Sequence, residues 1–199
     1  MSKPNIMIGK KTYPMTETTK MLEKIGKIWR KNARISLRMQ GKVNTGALYD
    51  SMPVTVGENQ HAYYVNITPK VDYWEYVDKG VQGASRNAFP RQSESPFKYG
   101  SGRGGKGLRG AIDKWVAQKG FQFQSREEGT KGQFLSFKAT AFLVTNAIWH
   151  RGLKPTFFIS DTLKRLKPKA MKWLGLAVGE DLANAIKESL TLNKNITAK

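Results

Sequence analysis

The chain has 199 residues and a formal net charge of +19, from 34 basic against 15 acidic side chains. It has no cysteine and two histidines, His61 and His150. A disulfide framework, thiolate metal sites and a cysteine nucleophile are excluded, and little material is left for a transition-metal site. Hydrophobic residues make up 39% and aromatic residues 11% of the chain, enough for one sizeable domain with its own core. The surplus of cations points to nucleic acid, an acidic partner, or a place inside an assembly.

Residues 1–14 read as an irregular N-terminal arm punctuated by Pro4, Gly9 and Pro14. No continuous apolar segment follows the charges of "MSKPNIMIGKK", so no secretory signal is expected. From Thr16 to about Gln40 the pattern is helical. Met21, Leu22, Ile25, Ile28, Trp29 and Ile35 fall near one face, and Lys20, Lys24, Lys27, Lys31 and Arg34 cover the rest. Gly41 ends this helix. Its acid-poor surface is either a solvated face or a surface for nucleic acid or an acidic subunit.

The period then changes to two. Val54 and Val56 alternate before Gly57-Glu58-Asn59, and Tyr63, Val65 and Ile67 alternate after it, which predicts a hairpin. "VDYWEYVDKGVQG" fits a strand end or a short helix. Residues 83–107 are rich in Gly, Ser, Pro, Arg and Asn and predict a long flexible loop. A short helix follows, with Leu108, Ile112, Trp115 and Val116 on one face and Gly120 as its stop. "FQFQSREEGTKGQFLSF" holds period-two fragments around a turn at Gly129–Gly132. Another helix is expected from about Lys138 to His150. The run after Pro155 reads as extended, Pro168 as the opener of a last helix, and 191–199 as a frayed tail. The longest apolar-rich run, "TAFLVTNAIW", is too short and polar to span a bilayer, so the chain is expected to stay soluble in the cytoplasm that makes it. The sum is one α+β domain over 15–190. Long N- and C-terminal helices flank a small, mainly antiparallel sheet with a long loop insertion.

One stretch invites a chemical reading. In "YGSGRGGKG", Gly100-x-x-x-x-Gly105-Lys106 matches seven of the eight positions of a phosphate-binding loop. The eighth should carry a hydroxyl for magnesium and is Gly107. The residues leading in, "SESPFKY", are not a buried strand. No nucleotide or other cofactor is therefore expected. His150 reads as a helix C-terminal histidine and His61 as a solvated hairpin residue. The pairs Glu75/Asp78 and Glu127/Glu128 lack an apolar setting that would perturb a carboxyl. No active site emerges. Lys98, Arg103, Lys106 and Arg109, with Tyr99 nearby, remain as candidate contacts to DNA phosphates or to an acidic partner.

Three segments, in order, resemble one family. "VNTGALYDSM" (Val43–Met52) resembles the "TGxLxxS" signature of tail-completion, or head–tail joining, proteins of tailed bacteriophages. "VDYWEYVDKGVQG" (Val71–Gly83) resembles their "YAxYVExGT" segment, with Val81 where threonine is common. "GLKPTFFISDTL" (Gly152–Leu163) resembles their "PFLxPAL" segment. The likeness spans roughly residues 40–165.

The resemblance implies a small α+β fold with a long helix on a sheet. It also implies a non-enzymatic virion component that forms a ring in the neck, between portal and tail, around the passing genome. The implied partners are further copies of the chain, portal and neck or tail proteins, and packaged DNA, with no membrane or small molecule. The matched positions are Thr45, Gly46, Leu48, Ser51, Tyr73, Tyr76, Gly80, Pro155 and Phe157. Gly46 would permit the turn and Thr45 bond its backbone. Tyr76 and Gly80 would pin the sheet's end, and Pro155 and Phe157 would dock an extended segment. The arm 1–14, the loop 83–107 and the tail 191–199 would order on neighbouring subunits. The alternative is a basic module that binds nucleic acid without sequence preference.

Overall fold

A computed structural model describes residues 5–58, 62–99 and 106–197, with backbone alone at 58, 106–109, 111 and 192–197. The fold is α+β. The described chain divides into two compact units, residues 1–74 with 157–199 and residues 75–156. Composition gave no linker because the chain crosses between units in ordered backbone, inside helix α3 (Trp74–Lys79) and just before helix α6 (Ser160–Thr197).

The first unit opens with a correction. Residues 5–14 are not an irregular arm but an antiparallel ribbon, β1 (Asn5–Ile8) on β2 (Lys11–Pro14), with Ile8 opposite Lys11. Gly9, at φ 63°, takes the first position of the two-residue turn. Tyr13 is buried and anchors the ribbon.

Helix α1 (Thr16–Met39) buries Leu22, Ile25, Gly26, Trp29, Ala33 and Leu37 along one stripe. Ile35, expected on that stripe, is exposed; Ala33 and Leu37 lie inside it instead. The helix closes on a Schellman motif. Gly41, at φ 63°, donates its N–H to Arg38 O at 3.0 Å, and Lys42 N–H donates to Leu37 O at 2.9 Å.

The predicted hairpin is β3 (Val54–Glu58) on β4 (Tyr63–Ile67), antiparallel, with Val54 opposite Ile67. His61, expected as a solvated hairpin residue, lies outside the described residues. Helix α1 lies close against this hairpin because Gly26 has no side chain. A Cβ there would run into Val54 Cγ1 and come within 2.8 Å of Val65 Cγ2.

Helix α6 starts eight residues before Pro168, so the proline sits inside the helix rather than opening it. The burial of Phe158, Ile159, Thr162 and Leu166 draws the preceding segment in. The expected frayed tail is also corrected, since α6 continues to Thr197. Trp29 Nε1–H donates to Ile159 O at 3.2 Å, which fixes α1 to the start of α6.

The second unit takes in residues 75–79 of α3, β5 (Val81–Gln82), α4 (Lys106–Lys119), α5 (Phe137–Arg151) and β6 (Gly152–Leu153). Strand β5 pairs antiparallel with β6. Among the described residues the strands form three separate two-stranded ribbons rather than one sheet. Ser136 Oγ accepts from Ala139 N–H at 3.1 Å and caps α5. No helix of the described residues is long and apolar enough to cross a membrane.

Candidate functional site

The matched positions can be placed one by one. Gly46 has φ 85° and precedes α2 (Ala47–Asp50). Ala47 N–H donates to Thr45 Oγ1 at 3.4 Å, so the exposed threonine does bond the turn backbone. Leu48 is buried. Ser51 Oγ donates to Leu48 O at 3.3 Å, and Ser51 O accepts from Lys70 N–H at 2.9 Å. All four lie in the first unit and hold the joint between α1 and β3. Tyr73, in the same unit, is exposed at 46%.

In the second unit, Gly80 has φ 71°. A Cβ there would come within 2.6 Å of Leu153 O and 2.7 Å of Pro155 N. Gly80 and buried Pro155 are thus in direct contact. Tyr76 packs its ring on Phe97 with centroids 4.4 Å apart, yet remains 44% exposed. Phe157 is half-buried and sits at φ 48°, and its neighbour Phe158 is fully buried. The left-handed backbone at Phe157 turns the chain into α6, which ends the expected extended run early.

The expectation for residues 83–107 also changes. Residues 83–99 are not an open loop; they are tied down by one side chain that sequence patterns did not single out. Gln92, in a 3-10 turn (Gln92–Glu94), is fully buried. Its Nε2 donates to Val81 O at 2.5 Å and to Arg151 O at 2.8 Å. Its Oε1 accepts from Ala88 N–H at 2.8 Å and Phe89 N–H at 3.1 Å. Every donor and acceptor site of the amide is used. Ser95 Oγ adds a bond to Gly80 O at 2.7 Å, and Gln82 exchanges backbone bonds with Phe97 and Tyr99. The N–H groups of Ala84, Ser85 and Arg86 satisfy the last carbonyls of α5 at Trp149 and His150. A lone polar residue between Ser and Arg residues carries no sequence signal for such a role.

Of the four cationic candidates, only Lys98 has a described side chain. Lys98 is exposed and its backbone bridges Gln82. Arg103 and residues 100–105 lie outside the described residues. Lys106 and Arg109 fall in the first turns of α4, with their side chains outside the description.

Two features bear on chemistry. Ser85 Oγ lies 2.6 Å from His150 Nδ1, a pairing that local spacing does not announce. Both residues are exposed, and His150 ends α5 with its ring edge-on to Trp149 at 4.8 Å. The pair closes the joint between α5 and residues 84–86. Among the described residues, no three His, Asp or Glu side chains gather where a metal could sit.

Both units expose large apolar groups. The second shows Phe134 at 67%, Phe142 at 53% and Trp149 at 43%, and it also holds a shallow groove of about 240 Å³ lined by Phe89, Phe123, Leu143 and Ile148. The first shows Met171 at 61%, Leu176 at 66% and Leu190 at 58%, all on α6. No protein-family profile, curated protein or solved structure matches the chain.

Proposed function

We propose that this chain is a structural component of a tailed-bacteriophage virion that assembles as a ring in the neck, between portal and tail. The reading starts from the three ordered segments, 43–52, 71–83 and 152–163. The observation that carries it in three dimensions is the set of large apolar side chains left exposed on both units. Large apolar side chains left exposed on a folded chain are the groups that a subunit contact would cover. A ring needs two different faces per subunit, because each copy meets its neighbour head-to-tail. In this reading the exposed Phe142 and Trp149 of the second unit and the exposed apolar residues of α6 in the first would serve as the two unlike faces.

The matched residues fit a non-catalytic role, since they shape turns and joints. Gly46 and Gly80 take left-handed backbone, Leu48 and Pro155 are buried, and Thr45 and Ser51 bond backbone atoms. Native mass spectrometry of the purified chain tests the reading. It predicts a closed ring of one stoichiometry, and Phe142→Ser with Trp149→Ser should shift the population to monomer. Monomer alone at every concentration, with no incorporation into phage particles, would sink it.

A second reading, a basic module that binds nucleic acid without sequence preference, is favoured by one observation. Lys24, Lys27 and Lys31 on α1 are exposed and form no ion pair or hydrogen bond among the described residues.

A further inference from the structure

The cations of α1 are ordered rather than scattered. Lys20, Lys24, Lys27, Lys31, Arg34 and Arg38 follow one another at alternating steps of four and three residues. At 1.5 Å per residue this makes a single line roughly 27 Å long. With 3.6 residues per turn, the line runs down the side opposite Leu22, Ile25, Trp29 and Ala33, which α1 buries. Five of the six, Lys20, Lys24, Lys27, Lys31 and Arg38, are exposed, and Arg34 is half-buried against Tyr49.

Their anchoring differs along the line. Lys20 is paired with Glu17 at 2.6 Å. Arg34 donates to Tyr49 O at 2.7 Å and Arg38 to Tyr49 Oη at 2.8 Å, with both guanidiniums over the Tyr49 ring at 4.9 and 5.4 Å. The middle of the line, Lys24, Lys27 and Lys31, forms no ion pair among the described residues, although exposed Glu23 lies four residues before Lys27.

We infer that this stripe is a contact surface for the phosphate backbone of duplex nucleic acid, bound without reading sequence. The inference rests on the charge reading above and does not require ring formation. Three features choose the duplex. A protein partner would ordinarily meet an interface with an apolar or aromatic centre and charges at its rim; this line has cations at its centre. A single strand would need open aromatic faces for its bases; the ring of Tyr49, at the end of the line, is already covered by two arginines. Free lysines on long stems act as point charges that follow a phosphate row without demanding a fixed geometry. A length of roughly 27 Å spans about eight base pairs at 3.4 Å per step.

The test is fluorescence anisotropy with a mixed-sequence 30-base-pair duplex, titrated from low to physiological salt. The variant K24Q/K27Q/K31Q is compared with K164Q/K167Q/K169Q, which removes equal charge from exposed positions on α6. Circular dichroism and thermal melting confirm that both fold. Wild type should bind with a steep salt dependence. The α1 variant should lose about two to three from the slope of log K against log salt, and roughly 10²-fold in affinity near 0.1 M. The α6 variant should stay within a few-fold of wild type. Equal losses from both variants would mean net charge alone, and would overturn the assignment. So would tighter, stripe-dependent binding to poly-glutamate or to a single strand, or no duplex binding at low salt. None of these outcomes depends on oligomeric state, so the ring reading stands or falls separately.

Discussion

The carboxylate of Asp181, on α6, closes the N-terminus of α1. It accepts from Thr18 N–H at 2.8 Å and from Glu17 N–H at 3.0 Å. These are the donors a helix normally satisfies with its own N-cap side chain, and here the N-cap position is Met15, which has none to offer. The negative charge also lies at the positive end of the α1 dipole. Two helices far apart in sequence are thereby fixed to each other at a buried point, since Asp181 is only 6% exposed. Asp181→Ala should destabilise the first unit by about 1–3 kcal/mol in urea titration. Asp181→Asn, which keeps one acceptor oxygen, should lose less. Equal stability of wild type and Asp181→Ala would remove this joint from the account.

Gly26 sets how near α1 comes to the β3–β4 hairpin. Ala is the better helix former by about 1 kcal/mol, so an open site would gain stability on Gly26→Ala. The added methyl would instead meet Val54 and Val65, and a net loss of about 1–3 kcal/mol is expected. Combining Gly26→Ala with Val54→Ala should recover part of that loss, measured as a coupling term in a double-mutant cycle. Strict additivity would show that the close approach is not what the glycine is for.

Gln92 is the corresponding joint of the second unit. Gln92→Leu keeps the volume roughly and leaves two carbonyls and two N–H groups without their partner. A loss of roughly 3 kcal/mol or more is expected. The local signature is faster amide exchange at Ala88 and Phe89. Unchanged exchange there, with a normal melting curve, would contradict the role given to this side chain.

Tyr99 gives the second unit an alkaline limit. Burial, and secondarily the nearby Tyr76, push its phenol above the ordinary value of 10.0. The folded state holds this proton more tightly than the unfolded chain. Its contribution is therefore complete below pH 10 and is lost as pH rises through the folded value. Wild type should lose stability more steeply above pH 10 than Tyr99→Phe, which has no proton to release. Parallel curves for the two would show that Tyr99 is not the group responsible.

Much of this was legible in the sequence where period and punctuation agreed. The α1 helix and the β3–β4 hairpin follow from a 3.6-residue and a two-residue repeat, and Gly41 and Gly46 take the left-handed conformations their positions suggest. The misreadings share a cause: a residue with two uses was given the commoner one. Gly9 and Pro14 read as breakers, yet one makes a hairpin turn and the other ends a strand. Pro168 reads as a helix opener, yet buried Phe158 and Leu166 extend the helix ahead of it. Gln92 and Asp181 were invisible because their partners are backbone atoms distant in sequence, which no local pattern encodes. The basic face of α1 was legible as composition. Only the folded helix aligns it into a line opposite the buried stripe.

Assembly is the central claim, and native mass spectrometry of the purified chain across a concentration series measures it most directly. The account predicts one closed oligomer that dissociates to monomer when Phe142 and Trp149 are replaced by serine. A wild-type chain that stays monomeric throughout, and that phage particles do not incorporate, would contradict it.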